Sequence, residues 1–278
     1  MICCKHLRNL YDYITVQERE ILVTHLDAFI LGIVEGIAEF LPISSTGHLM
    51  LASHLLQLSP TAFLKSFEIS IQLGAILSVL VLYTKKFLLD MEVIKRLIAA
   101  FIPTAVLGLA LYKIVKNVFL NSTSIVLWAL FIGGILLIIF EKIHREDHQA
   151  IDDIKTMPCS KAFLIGAFQS IAMIPGVSRS AATILGGLLL GLKRKTIVEF
   201  SFLLAVPTML AATALDLYKN IDSFSSAQID ILLIGAGVSF VVALLSMKFL
   251  LHFIKNHNFI GFGVYRILAA LTFWLFLK

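Results

Sequence analysis

Charge is what this sequence lacks. Asp, Glu, Lys and Arg make up 15% of its 278 residues while 59% are hydrophobic, against about 25% charged in a soluble domain. So large an apolar surplus cannot be hidden in one water-facing core, which excludes a soluble enzyme and a disordered chain. The net charge of +5 lies beside long uncharged runs rather than on one basic face, so a nucleic-acid binder is excluded too. Cysteine is equally scarce. Cys3, Cys4 and Cys159 have no CxxC or Cys/His spacing for zinc and are too few for a disulfide framework. A signal peptide is also missing, because residues 1–27 mix Lys5, Arg8, Glu18, Arg19, Glu20 and Asp27 without an apolar core. They read as a polar or interfacial segment. What remains, with a mean hydropathy of +0.92, is a polytopic membrane protein.

Crossing about 30 Å of hydrocarbon takes roughly 20 apolar residues in a helix. Six stretches fit, at 67–84, 95–116, 124–140, 197–218, 228–250 and 259–277. Two more are apolar but broken. Ala28–Leu41 runs into Pro42-Ile43-Ser44-Ser45-Thr46-Gly47-His48 before Leu49–Leu58, and Ala162–Ile174 runs into Pro175-Gly176-Val177-Ser178-Arg179-Ser180 before Ala181–Leu192. Each half is too short to span. The breaks carry Pro, Gly and hydroxyls that end one helix and cap the next. Irregular backbone at membrane depth survives only where protein or a watery cavity covers it. The sequence therefore predicts an all-α membrane protein with six transmembrane helices plus two re-entrant helical hairpins.

The broken regions also resemble each other. Gly32–Glu39 lines up with Gly166–Met173; after a one-residue gap Pro42 meets Pro175, Ser45 meets Ser178 and Phe67 meets Phe200. Residues 28–278 read as one membrane domain made of two repeats, about 28–140 and 160–277. Paired interrupted segments point to a midplane site between repeats. If each hairpin returns to the side it entered from, one side receives Lys85, Lys86, Lys95, Arg96, Lys142, Arg145, Lys155, Lys161, Lys193, Arg194, Lys195, Lys248 and Lys255. The other receives Lys65, Lys113, Lys116, Lys219, Lys278, Lys5, Arg8 and Arg19. Thirteen against eight places the first side in the cytoplasm. Both termini then face outward, and the hairpins enter from opposite sides, so the repeats are inverted.

Ionisable groups at membrane depth are costly and mark function. Glu35 and Glu39, four apart, share one helix face, where two carboxylates can hold a divalent cation or divide into acid and base. Ser44, Ser45, Thr46, Gly47 and His48 add hydroxyls, a flexible backbone and an imidazole. Gly176, Ser178, Arg179 and Ser180, opening a half-helix, form the local recipe for gripping a phosphate or carboxylate. Arg266, isolated in an apolar span beside Tyr265, is either a second anion ligand or a side chain reaching an interface. Glu68, Gln72 and Glu199 stand behind them. Together these groups make a kit for phosphoryl transfer or phosphate-ester hydrolysis. Two carboxylates would repel a phosphate that Arg179 only partly attracts, so a divalent cation is expected, Mg²⁺ or else Ca²⁺. The apolar excess is expected to wall a cavity for a lipid tail.

At these residues the sequence resembles the undecaprenyl-diphosphate phosphatase family of the bacitracin-resistance type. Glu35-Gly-Ile-Ala-Glu39-Phe-Leu-Pro-Ile-Ser-Ser-Thr-Gly-His48 is similar to that family's glutamate-rich motif, and Pro175-Gly-Val-Ser-Arg-Ser-Ala-Ala-Thr183 to its Pro-Gly-x-Ser-Arg-Ser-x-x-Thr motif. Phe67–Gly74 and Tyr265-Arg266-Ile267 extend the likeness over nearly all the chain from Ala28. Two departures stand out: the start is longer, and Ala181 replaces a frequent Gly. The resemblance implies removal of the terminal phosphate from undecaprenyl diphosphate, giving the carrier lipid reused in cell-wall assembly, at an outward-facing site in the inner membrane of a bacterium. It implies Ser45 as nucleophile, with Glu39 or His48 as acid and base. Arg179, Ser178, Ser180 and Thr183 would hold the diphosphate and Glu35 the metal. A metal-activated water attacking directly, with Ser45 only binding, is the alternative mechanism. The partners implied are the lipid substrate and surrounding membrane lipids, with a homodimer as a further candidate. The rival from another class is a secondary transporter or lipid flippase, because broken helices in inverted repeats are transporter architecture too.

Overall fold

The computed structural model describes residues 23–84, 90–114, 122–147, 149–219 and 228–276. The readings made of residues 1–22 and of Lys85, Lys86, Lys116 and Lys278, together with the side chain of Lys113, lie outside the described residues. Within them the chain is helical, and the one β pairing is an isolated bridge between Ile151 and Leu192. The helices are α1 (His25–Ala38), α2 (Ser45–Leu55), α3 (Ala62–Tyr83), α4 (Met91–Ile114), α5 (Thr123–Ile143), α6 (Cys159–Ser170), α7 (Arg179–Leu189), α8 (Arg194–Lys219), α9 (Ile229–Phe253) and α10 (Ile260–Phe276). Five are long and apolar enough to cross a bilayer: α3, α4, α5, α8 and α9. The sixth expected span is α10, which has 17 residues, the short end of the spanning range. The chain is a multi-pass membrane protein.

The helix ends follow from their caps. Helix α1 begins at His25, earlier than the hydropathy suggested, because Thr24 and Asp27 form a capping box: Thr24 Oγ1 accepts from Asp27 N at 3.2 Å and Asp27 Oδ2 accepts from Thr24 N at 2.9 Å. Both broken regions are broken as expected. Ser44 caps α2 and Ser178 caps α7, each with φ of 75°, and both half-helices have 11 residues. This equivalence corrects the sequence alignment by one residue. The two caps pair Ser44 with Ser178 and hence Ser45 with Arg179; the prolines, which suggested pairing Ser45 with Ser178, sit one place out of step.

The ends of each half-helix pair come together. Lys161, in the first turn of α6, donates its Nζ to Leu190 O at the end of α7 at 2.7 Å. Val23 and Ala28 at the start of α1 share a small core with Leu58 just beyond α2 and with Phe63 and Leu64 opening α3. The packing of the two halves matches: α1 lies on α9 as α6 lies on α4, while α3 meets α8 and α5 meets α10. Helix α8 runs through the main core, with Phe200, Phe202, Leu203 and Leu204 fully buried. At one end, a largely buried ion pair and an exposed one fasten the loops. Arg194 pairs with Glu141, which also accepts from Phe259 N, and Lys155 pairs with Asp90 at 2.7 Å.

Much of the apolar surplus lies on outward faces: Ile132, Leu136 and Ile139 of α5 and Val241, Leu245 and Phe249 of α9 are about half exposed or more. Contiguous apolar surface on that scale has hydrocarbon for solvent.

Candidate active site

The two breaks meet. Ser45 Oγ donates to Glu39 Oε2 at 2.5 Å, and Arg179 Nη2 donates to Glu39 Oε1 at 3.0 Å. One carboxylate from the first break therefore holds the hydroxyl beside it and the guanidinium of the second. The side chains of Arg179 and Glu39 are 14% and 5% exposed, so the pair is nearly dry. Arg179 is braced further by Nη1 donating to Ser201 O at 2.6 Å and by the Phe40 ring 5.8 Å away. Its Nε is buried and has no acceptor. A charged donor left unmade at the wall of a cavity suits an anion that arrives later.

Glu35, one turn before Glu39, is fully buried, and neither of its carboxylate oxygens has a hydrogen-bond donor. Its charged neighbours are Glu39, Glu68 and Arg179. A buried carboxylate without donors costs several kcal/mol, and a hard cation supplies what it lacks. Among the described residues no three His, Cys, Asp or Glu side chains converge as a metal cage. Two carboxylates, with the remaining positions left to water and phosphate oxygens, are nevertheless the usual provision for Mg²⁺. The residues present fit that ion.

A cavity of about 180 Å³ opens at this point, lined by Glu39, Ser44, Ser45, Gly176, Ser178 and Arg179 on its polar side and by Met173, Met209 and Ala212 on its apolar side. That volume is below the roughly 300 Å³ at which pockets for drug-sized ligands start. Gly176 has φ of +95°, and a Cβ there would lie 2.5 Å from Val126 O, so only glycine lets the second break pass this close to α5.

Thr46 also lines the cavity, Glu35 is not among its lining residues, and His48, Ser180, Thr183 and Arg266 fall elsewhere. His48 does not line the cavity; its Nδ1 lies 2.8 Å from Ser44 O and its Nε2 2.8 Å from Tyr265 Oη, and its ring stacks on Tyr265. Ser180 is fully buried and donates to Leu41 O at 2.8 Å, tying one break to the other. Thr183 lies 2.6 Å from Ser201 Oγ, behind Arg179. Arg266 is 1% exposed, which excludes a side chain reaching an interface, and its nitrogens donate to backbone carbonyls.

Four polar groups at the cavity, Gln72, Thr104, Gln169 and Thr208, escaped the motifs or carried less weight there. Gln72 is a lining residue. Thr104 and Gln169 line it too, with Gln169 Nε2 donating to Thr104 Oγ1 at 2.8 Å and Gln169 Oε1 buried without a donor. A signal for Gln169 existed, since the repeat alignment pairs it with Glu35. For Ser201, which receives Arg179 through its backbone, no sequence signal exists.

Residues 28–272 match the family model described as bacitracin resistance protein BacA. Curated relatives named undecaprenyl-diphosphatase include one from Sulfurihydrogenibium sp., 55% identical over 91% of this chain and 99% of its own length. Others come from Aquifex aeolicus, 52% identical over 91% and 99%, and Persephonella marina, 53% identical over 90% and 98%. With that identity along nearly the whole chain, and a site built from the two breaks, this protein belongs to the BacA bacitracin-resistance family.

Proposed function

We infer that this protein is an undecaprenyl-diphosphatase: it hydrolyses undecaprenyl diphosphate to undecaprenyl phosphate and inorganic phosphate, returning the carrier lipid to cell-wall synthesis. The relatives carry this reading. The single observation that ties it to chemistry is the Ser45–Glu39–Arg179 contact, a hydroxyl on a carboxylate beside a guanidinium. A transporter or flippase needs a binding site but no nucleophile, and is not favoured. The direct test is purified protein in detergent with undecaprenyl diphosphate and Mg²⁺: stoichiometric phosphate release is expected, and none at any Mg²⁺ concentration would sink the reading.

For the mechanism we propose Ser45 as nucleophile. Glu39 Oε2 takes the Ser45 proton as Oγ bonds to the terminal phosphorus, and the bond from that phosphorus to the bridging oxygen breaks, freeing undecaprenyl phosphate. A water then attacks the phosphoserine, inorganic phosphate leaves and Ser45 regains its proton. Arg179, through its free Nε–H, holds a non-bridging oxygen, with the first turn of α7 presenting backbone N–H groups beside it. Of the two acid–base candidates Glu39 takes the role, because it touches Ser45, while both ring nitrogens of His48 are engaged elsewhere. His48 acts on Ser44 by fixing its carbonyl.

Charge argues for the cation. Glu35 and Glu39 against Arg179 leave the site negative before a diphosphate arrives, and like charges 4 Å apart cost about 4 kcal/mol at an effective dielectric of 20. Glu35 and Glu39 would hold Mg²⁺ or Ca²⁺, which when bound neutralises phosphate charge and polarises the phosphorus. Glu35→Gln is expected to raise the Mg²⁺ concentration for half-maximal activity by about tenfold or more, and chelator is expected to stop the wild type. An unchanged Mg²⁺ titration would remove Glu35 from the metal.

We further propose that α1–α2 and α6–α7 are re-entrant hairpins of an inverted repeat, with six spans around them and the cavity open to the outside of the bacterial inner membrane. Supporting this, the two pairs share cap geometry, and each packs on a corresponding long helix, α1 on α9 and α6 on α4. Cys159, exposed at the start of α6, then lies in the cytoplasm. In a variant with Cys3→Ser and Cys4→Ser, a membrane-impermeant thiol reagent is expected to label Cys159 only after permeabilisation. Labelling in intact cells would invert the topology.

A further inference from the structure

A fully buried guanidinium with no acid beside it is the least expected group in the protein. Arg266 Nη1 donates to Val177 O at 3.1 Å and to Pro42 O at 3.4 Å, Nη2 to Gly176 O at 2.9 Å and Ala129 O at 3.1 Å, and Nε to Leu130 O at 3.4 Å. These five carbonyls come from three places: the first break, the second break and the middle of α5. Room for the head group exists only because residue 133 is glycine, where a Cβ would lie 2.1 Å from Arg266 Nη2. One residue earlier on α10, Tyr265 Oη meets the His48 ring that holds Ser44 O. Two neighbouring residues of a helix outside the cavity thus grip the backbone of both breaks from behind.

We propose that Arg266 is a positioning residue for the reaction, acting through the backbone and never touching substrate. Arg266 itself is not among the residues lining the cavity, and its planar fork fixes the carbonyls of Pro42, Gly176 and Val177. That sets the relative placement of the two chain segments whose next few residues are Ser44-Ser45 and Ser178-Arg179. The nucleophile and the phosphate clamp belong to different breaks, 134 positions apart in the chain, so their register depends on something that holds both. Other direct ties are the Arg179–Glu39 pair itself, Arg179 against the Phe40 ring, and Ser180 to Leu41 O. A lysine has a single ammonium and cannot reach three separate backbone segments at once. The inference rests on the catalytic roles given above to Ser45 and Arg179.

The test is steady-state kinetics on purified Arg266→Ala, Arg266→Lys and Gly133→Ala, with thermal melting and gel filtration of each, and Arg179→Ala alongside as the clamp control. For variants that stay folded, kcat is expected to fall at least 30-fold while KM moves less than threefold. Lysine should fail to rescue, and Gly133→Ala should show the same pattern with the charge intact. A rise in KM above tenfold with kcat kept would make Arg266 a phosphate ligand and overturn the proposal. Unchanged kinetics per folded molecule, activity restored by lysine, or aggregation of all three variants would mark it as a folding residue only, and would overturn it equally. If Arg179→Ala keeps wild-type kinetics, it is the site assignment that fails, whatever Arg266 does.

Discussion

Arg179→Ala is expected to lower kcat/KM by about 10³-fold or more, the range found where an arginine on a transferring phosphoryl group is removed. Three losses coincide. The phosphate loses the guanidinium with the free Nε–H, Glu39 loses the cation 3.0 Å from Oε1, and Glu35 loses its one cationic neighbour. Breaking a buried pair by deleting one partner costs about 3–5 kcal/mol, so Tm should fall together with activity. Arg179→Lys restores charge but not the fork that serves Ser201 O and Glu39 together, and only part of the activity should return. Phosphate release assays with parallel melts check this; an Arg179→Ala enzyme within tenfold of wild type would remove Arg179 from the reaction.

Ser45→Ala is the second large effect. Removing a nucleophile typically leaves only the catalysis contributed by the rest of the site, and a fall in kcat of at least about 10³-fold is expected. Stability should respond differently from the arginine variant. Ser45 is one of two groups on Glu39, and deleting its hydroxyl leaves the Glu39–Arg179 pair in place. Losing that single hydrogen bond costs about 1–3 kcal/mol at most. Substrate binding should persist, measurable as inhibition of the wild type by Ser45→Ala sequestering a limiting lipid pool. A variant that binds but does not turn over separates a chemical role from a structural one.

The parts of this site that were legible in the sequence share a cause. Glu35, Glu39 and Arg179 stand out because composition says charge should be absent there. The two breaks stand out because Pro, Gly and hydroxyls interrupt otherwise apolar helices. Both signals are local. What could not be read depends on contacts between distant residues. His48 stands level with Glu39 as an acid–base candidate in the sequence, which does not show its ring between Ser44 O and Tyr265, 217 positions away. Arg266 reads equally as a second anion ligand or as a side chain reaching an interface, because a sequence shows its charge but not the five carbonyls its nitrogens meet. Ser201 serves Arg179 through a backbone oxygen, which every residue has. The slip in repeat register has the same origin: the prolines attract alignment, while the positive φ shared by Ser44 and Ser178, invisible in sequence, sets the helix starts.

A cavity of about 180 Å³ lies at the two breaks, with Met173 and Met209 among its lining residues. The apolar surplus that first marked the chain faces outward along α5 and α9.

The stereochemical course at phosphorus tests the central claim most directly. Undecaprenyl diphosphate made chiral at a terminal phosphorothioate with oxygen isotopes would be hydrolysed by the wild-type protein in isotopically labelled water, and the configuration of the released thiophosphate determined. Two in-line displacements, through Ser45 and then water, give net retention, and retention is the expected result. Net inversion would mean a single displacement by water, with Ser45 a binding residue only, and would contradict the mechanism proposed here.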